Sequence, residues 1–438
     1  MALKFHNTLT GQKEVFTPAR PPLVSFYTCG PTVYAAPHLG NLRTFVTGDL
    51  LRRALERSGF SVRQVINITD VDDKIIATSR ARGQSAKELA VGYEQIFFDE
   101  IEKLNILRPA VWPRATEFIG HMIVLIEKLQ ERGLAYSTAD GIYFKISAFP
   151  NYGRLKRFLL ETQENPENDF ALWKFHKPED GEVVWDASFG RGRPGWHIEC
   201  SAMIEATLGE QIDLHLGGTD LIFPHHENEN AQTESLTGQP LSRFWLHSAF
   251  MMIDGEKMSK SLGNVIGLSD LTDKKFSPLD YRYLLLTAHY RTLLNFTWEA
   301  LAAAASAHKK LRDLIKGWSD TPTSGQVDQQ YCQKFDSAIN DDLNLPQALA
   351  VTWQLVKDEK IKKRDKLATI LNFDQVFGLN LMTATKKEEI SEDIKKLISE
   401  RETARQKKDW PTADRLRQEI EKQGYSVKDT STGPKLKT

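Results

Sequence analysis

Apolar and polar positions change their period along the chain, and the changes mark out its regions. Residues 23–27 (Leu23-Val24-Ser25-Phe26-Tyr27) are a short apolar and aromatic run, the pattern of a buried strand. Residues 42–58 then place Leu42, Phe45, Val46, Leu50, Leu51 and Leu55 at a helical period. A second strand is expected over 61–68, followed by a polar turn at 69–74. Strand alternating with helix up to about residue 107 predicts a doubly wound α/β domain. From 108 the texture changes. A helical segment (117–132), a strand (141–146) and a stretch rich in Pro, Asn, Lys and Trp up to 193 read as an inserted subdomain.

The α/β pattern returns with a helix over 196–208 and a strand over 212–216. A glycine turn at Gly217-Gly218 follows, then a helix from about Pro224, since proline suits a first turn. The last strand is expected over 244–252. Beyond 277 the periodicity is helical: 279–289, 298–318, 328–358 with a break near Leu345-Pro346, and 362–373. A charged linker (386–392) leads to two more helices, 393–408 and 411–423. The predicted organisation is an α/β domain in two halves (1–107 and 194–276) around an insertion (108–193). A helical bundle (277–385) and a small terminal domain (386–438) follow.

At 438 residues the chain exceeds what one core usually supports. Its 41% hydrophobic and 26% charged residues exclude large-scale disorder. A net charge of −1 means that any nucleic-acid surface must gather its basic residues locally. The start carries no signal-peptide pattern, and no run approaches the ~18 apolar residues of a membrane span. Three cysteines (Cys29, Cys200, Cys332) make no disulfide framework, so a cytoplasmic protein without membrane contact is expected. A monomer is the expected state.

Two stretches carry nucleotide chemistry. The segment from Phe26 to Asn41 is a strand-to-helix turn, and such turns lie where ligands bind in an open parallel sheet. Gly40 lets a backbone approach a nucleotide, the helix start favours phosphate, and His38 can donate to a phosphoryl oxygen. Read alone, the same residues describe an ordinary capped turn. The second stretch is Gly255-Glu256-Lys257-Met258-Ser259-Lys260-Ser261, whose two lysines can reach one polyphosphate and neutralise departing pyrophosphate. Each lysine alone is equally a solvated surface charge.

Taken together, the two stretches resemble the signature motifs of class I aminoacyl-tRNA synthetases. His38-Leu39-Gly40-Asn41 differs from the first at its second and fourth residues, and Lys257 to Ser261 matches the second throughout. The resemblance implies a Rossmann-type catalytic domain and ATP, with Mg²⁺, as cosubstrate. It also implies that an amino-acid carboxylate attacks the α-phosphorus, so that catalysis is positioning plus charge stabilisation. His38, Asn41, Lys257 and Lys260 would be the catalytic residues.

Cys29, Cys200, His225 and Glu229 form a third constellation. Two Cys, one His and one carboxylate suit tetrahedral Zn²⁺, although two buried cysteines and a solvated acidic helix start are the plainer reading. The segments Pro194 to Met203 and Phe223 to Glu229 resemble the zinc-bearing segments of the cysteinyl-tRNA synthetase family. In that family Zn²⁺ selects the substrate thiol of L-cysteine, and a serine hydroxyl is a poor ligand, so no editing site is needed. By the same resemblance, Thr69, Trp196 and Asp220 surround the amino acid, while His215 and Gly217, with Gly40 and Ser259, contact ATP. Leu216 stands where the family often has glycine. His197 and His226 read as structural, four ligands being already supplied. The insertion resembles the family's connective peptide.

Residues 391–438 hold 12 Lys and Arg against 9 Asp and Glu, a small basic excess. Arg405 to Arg415 with Lys428-Asp429-Thr430 resembles the family's anticodon-binding domain, which implies tRNA(Cys) as partner and places Arg405, Asp414 and Asp429 at base-reading positions. Here Gly433 leads to Pro434, where the family usually ends on an aromatic residue, so the loss of a stacking contact worth ~1–3 kcal/mol is expected. Two other readings share parts of the pattern. The cysteine ligase of mycothiol synthesis has the same core but transfers cysteine to an amino sugar, and lacks the segment from Asp393 onward. A binding paralogue without catalysis is expected to have lost the lysines or the zinc ligands, all of which stand.

Overall fold

The computed structural model describes residues 2–155, 169–258, 263–319, 325–385, 392–422, 426–430 and 433–437. They belong to two compact units, Met1–Met382 and Thr383–Thr438. The first opens with an antiparallel hairpin of β1 (Lys4–Asn7) and β2 (Gln12–Val15), which the pattern did not predict. The buried run becomes β3 (Leu23–Thr28), and α1 (Leu39–Arg57) starts three residues earlier than expected. The early start comes from His38, whose side chain caps the helix. The inner face of α1 buries Leu39, Leu42, Phe45, Val46, Leu50 and Leu51, each contributing about 1.5–3 kcal/mol.

β4 (Ser61–Ile66) stops short of residue 68 because Asn67 turns to hold Gly30 through its side chain, Oδ1 accepting from the Gly30 amide at 2.8 Å. Two helices follow, α2 (Asp73–Arg82) and α3 (Ala86–Lys103), each opened by a side-chain cap from Asp72 or Ser85. The insertion holds α4 (Ile119–Glu131), β5 (Ala135–Ser137), β6 (Gly141–Phe144), β7 (Phe170–Phe175) and β8 (Gly192–Pro194). Its strands form one antiparallel sheet in chain order. Next come α5 (Trp196–Leu208), β9 (Ile212–Gly218), α6 (Glu227–Thr237) and β10 (Ser242–Ser248). The central sheet is wholly parallel, in the order β10-β9-β3-β4.

Three expectations are corrected here. Gly217 and Gly218 are strand, not turn: they pair with His247 and Ser248 of β10. The helix does not begin at Pro224. Ile222–His226 is an irregular turn in which Phe223 leaves helical geometry (φ −140°, ψ 132°), and regular helix starts at Glu227. The run 244–252 is two strands in different sheets. β10 ends at Ser248, and β11 (Met251–Ile253) pairs with β12 (Glu256–Lys257) and, beyond α7 (Leu268–Asp273) and α8 (Pro278–Leu286), with β13 (Leu294–Phe296).

The bundle consists of α9 (Trp298–Trp318), α10 (Gln329–Ile339), α11 (Leu345–Lys357) and α12 (Lys363–Phe377). The break between α10 and α11 precedes Leu345, where Asp342 and Leu343 take left-handed φ of 60° and 52°. The second unit pairs α13 (Glu392–Gln406) with α14 (Trp410–Lys422) and adds an unforeseen hairpin, β14 (Ser426–Thr430) with β15 (Gly433–Lys437). Among the described residues no helix is long and apolar enough to cross a membrane.

Candidate active site

The carboxyl ends of β3 and β9 lie against α1, where a Cβ on Gly48 would stand 3.5 Å from Thr28 and 3.2 Å from Leu216. His38 Nδ1 accepts from the Asn41 amide and Asn41 Oδ1 accepts from the His38 amide, both at 3.2 Å, so the two motif residues close a reciprocal cap. An imidazole in place of Asn41 has no carbonyl to close it. A Cβ on Gly40 would lie 3.1 Å from the His38 ring, so glycine leaves that ring its position.

Cys29 follows the end of β3, its amide bonded to the Leu216 carbonyl. Cys200 stands in the second turn of α5, His225 in the irregular turn and Glu229 in the first turn of α6. One ligand atom from each lies within 4.8 Å of the other three, and all four residues are buried. His225 Nε2 sits 2.7 Å from Glu229 Oε1, and Cys29 Sγ 3.6 Å from the same oxygen. The arrangement is backed by histidines. His215 Nε2 meets Glu229 Oε2 at 2.7 Å, while His226 reaches Cys29 Sγ at 3.3 Å and His247 at 2.8 Å. Thr8 Oγ1 closes that chain on His247 Nδ1 at 2.8 Å. Cys29, His215, His226 and Glu229 also converge as a second donor set, so His226 is more than a packing residue.

The electrostatics suit a cation. The hydrogen bond with Cys29 draws the Cys200 thiol down to about 6, whereas burial pushes Cys29 well up. Burial opposes charge on His225, but Glu229 and Cys200 outweigh it and raise the ring to about 10. Burial would likewise raise Glu229, yet His215 and His225 hold it well below the usual carboxylate range. Burial keeps His226 and His197 well below the usual imidazole value, and brings His247 to about 3. Glu229 and Cys200 are held as anions with the His225 proton as their counter-charge, and two cysteine sulfurs, an imidazole nitrogen that can release that proton and a carboxylate, all buried, are a donor set that fits Zn²⁺.

Of the other predicted residues, Trp196, His215 and Gly217 touch this cluster. Trp196, 39% exposed, stacks on the His225 ring at 4.3 Å. Thr69 is buried, accepts from Asn67 Nδ2 at 3.1 Å and bridges Thr32 in the loop after Cys29. His215 is fully buried and stacks on Trp245 at 4.5 Å. Gly217 is required where it stands, since a Cβ there would lie 2.5 Å from the His226 ring. Asp220 is exposed just beyond β9. Leu216 is buried in β9 with Cδ2 3.2 Å from where a Gly48 Cβ would stand, so the departure is absorbed by a glycine on α1.

Lys257 ends β12 with its Nζ 5.5 Å from the Phe250 ring centroid. Ser259 and Lys260 lie outside the described residues. In the second unit Arg405 ends α13 beside Glu402, and Asp414 is exposed on α14; Asp429 belongs to β14, but its side chain is outside the described set. Sequence reading passed over His247 and Arg43. Arg43 had a signal, because it interrupts the apolar stripe of α1 between Leu39 and Val46.

Residues 15–306 match the family model described as the tRNA synthetases class I (C) catalytic domain, and residues 387–433 match the cysteinyl-tRNA ligase anticodon binding domain. The cysteine–tRNA ligase of Chlamydia muridarum is 43% identical over 477 aligned residues, covering 100% of both chains. Cysteine–tRNA ligase 1 of Burkholderia lata is 44% identical over 460, covering 100% of this chain and 97% of its own. The fold is also similar to the LeuRS–tRNA–LeuAMS ternary complex of Agrobacterium radiobacter K84, with a TM-score of 0.66, 10% identity, and coverage of 85% and 86%.

Proposed function

The chain belongs to the cysteine–tRNA ligase family of class I aminoacyl-tRNA synthetases, and from that membership we propose that it activates L-cysteine with ATP and transfers it to tRNA(Cys). The observation that carries the substrate choice is the convergence of Cys29, Cys200, His225 and Glu229 beside the His38 helix. These four would hold Zn²⁺, which supplies a Lewis acid that favours a thiolate over a hydroxyl. Trp196 and Thr69 bound the amino acid, and Asp220 receives its ammonium group. Rejection of serine then rests on the missing bond rather than on steric fit, and such a loss discriminates strongly.

In activation an oxygen of the cysteine carboxylate attacks the α-phosphorus, the bond to the β-phosphate oxygen breaks, and cysteinyl-adenylate and pyrophosphate form. Accepting the Asn41 amide at Nδ1 sets the His38 tautomer, so Nε2 donates to the phosphate as charge builds. Asn41 turns its carbonyl to the cap and offers its amide nitrogen. Lys257 and Lys260 neutralise the departing pyrophosphate, with Mg²⁺ accompanying the nucleotide; Gly40, His215, Gly217 and Ser259 line the rest of the ATP site. A terminal hydroxyl of tRNA then attacks the acyl carbon and AMP leaves. Arg405, Asp414 and Asp429 read the anticodon, Arg through a bidentate contact and Asp by accepting from base amino groups.

The acceptor decides the test. With radiolabelled cysteine and ATP, label is expected on a tRNA(Cys) transcript and on no other tRNA. Labelling of an amino sugar with none on tRNA would replace this reading by the amino-sugar ligase. Labelling of neither would leave a binding protein.

A further inference from the structure

Arg43 is 3% exposed, yet among the described residues no carboxylate meets its guanidinium. Every one of its hydrogen bonds ends on a backbone carbonyl. Nη1 donates to Ala249 (2.9 Å) and Phe250 (2.8 Å), and Nη2 to His289 (3.2 Å), Tyr290 (3.3 Å) and Thr292 (2.6 Å). Burying a cation on carbonyl dipoles alone is costly, and a buried side chain on an apolar face is ordinarily aliphatic. The five carbonyls are not scattered. Two sit at the break where the chain leaves β10 for β11, and three immediately precede β13.

β11 and β13 are parallel neighbours, and β12, which carries Lys257, pairs on the other side of β11. The guanidinium therefore holds the approaches to β11 and β13, two of the three strands of the small sheet whose third, β12, carries Lys257. Arg43 lies two residues past Asn41 on the same helix, and four past Leu39, so Leu39 and Arg43 share a face. Leu39 ties that face to the far side of the lysine loop: its amide donates to Ile266 at 2.9 Å, and its carbonyl accepts from the Tyr281 hydroxyl at 2.6 Å.

We infer that Arg43 is a positioning residue for adenylate formation, a planar five-carbonyl clasp that fixes the distance between the His38–Asn41 phosphate motif and Lys257. It touches no substrate and acts through the sheet. The inference rests on the cysteine-activation reading, and the role is geometric. A guanidinium spans two clusters of carbonyls at once, and a lysine ammonium is a single point that satisfies one of them. Misplacement of a charged group by about 1 Å is enough to cost ~10²-fold in rate.

The test is a double-mutant cycle on the full chain, read by cysteine-dependent ATP–pyrophosphate exchange per titrated active site. The variants are Arg43→Lys, Lys257→Ala and the pair. Arg43→Lys is expected to lower kcat by about 30- to 100-fold, with KM for cysteine within about threefold of wild type. In the Lys257→Ala background the same change is expected to cost no more than about threefold, because the group it positions is gone. If Arg43→Lys folds poorly, Arg43→Met, which buries no charge, serves in its place. Equal losses in both backgrounds, or a loss confined to KM for cysteine, would overturn the clasp while leaving cysteine activation intact. Absence of exchange in the wild type would instead overturn the activation reading itself.

Discussion

Glu100 shows what a single buried residue does to the pH dependence of the fold. It sits on α3 with one carboxylate oxygen that meets no hydrogen-bond partner among the described residues, and burial raises its pKa to about 7. Unfolded, it titrates at about 4.3. The folded state therefore binds the proton more tightly, and between about pH 4 and pH 7 stability falls as pH rises. Glu100→Gln removes that fall. Urea unfolding is expected to show the variant more stable than wild type by about 1–2 kcal/mol at pH 8 and nearly equal at pH 4.5. Equal midpoints at both pH values would mean that the carboxylate is solvated. At Cys200, His225 and Glu229 the logic differs, since neighbouring members of the cluster override what burial alone would do.

Among the elements, α1 carries the most. Its start presents His38 and Asn41, its second turn holds Arg43, and its middle places Asp49 in the interior. Asp49 binds Arg282 of α8 and Arg53 (Nε–Oδ2 2.7 Å), and accepts the Leu107 amide at 2.8 Å. Arg282 also donates to Phe377 and Leu104 carbonyls, so the pair joins the α/β sheet to the end of α12. Asp49→Asn takes away the carboxylate bonded to Arg282 and leaves its buried charge to Asp374 and the carbonyls. A loss of about 3–5 kcal/mol is expected in chemical denaturation, and a loss below about 1 kcal/mol would show that Asp374 and the carbonyls suffice.

α1 was plain in the sequence because its buried Leu42, Phe45, Val46, Leu50 and Leu51 recur at a helical period, and β3 and α5 because each holds an unbroken run of buried residues. The break inside 244–252 was not. Residues 249 and 250 carry no turn signal, and what ends β10 is a cation more than 200 residues away in sequence. Gly217-Gly218 misled for the opposite reason, because tertiary pairing overrode a local turn preference and His226 used the space that a side chain would fill. The four candidate metal ligands, Cys29, Cys200, His225 and Glu229, come from four separate segments of the chain. Spacing could not have found them, and only resemblance to a family linked them before the fold did.

At the scale of the whole molecule, the chain divides chemistry between two units. The first matches the class I catalytic domain and carries the buried Cys/His/Glu cluster together with the His38 helix start and Lys257. The second has the basic excess and matches an anticodon-binding domain. Arg405→Ala is expected to lower kcat/KM for tRNA(Cys) by about ten- to a hundredfold, the range of one lost bidentate base contact. An equal fall in pyrophosphate exchange, which needs no tRNA, would contradict that division.

The most direct test of the central claim is cysteine-dependent ATP–pyrophosphate exchange by the zinc-loaded full chain, with excess serine as competitor, beside Cys200→Ser with its metal content assayed. Exchange is expected to require cysteine, to ignore serine, and to collapse together with metal content in the variant. Exchange supported equally by serine, or retained in metal-free Cys200→Ser, would contradict selection of the substrate by a thiol-binding metal.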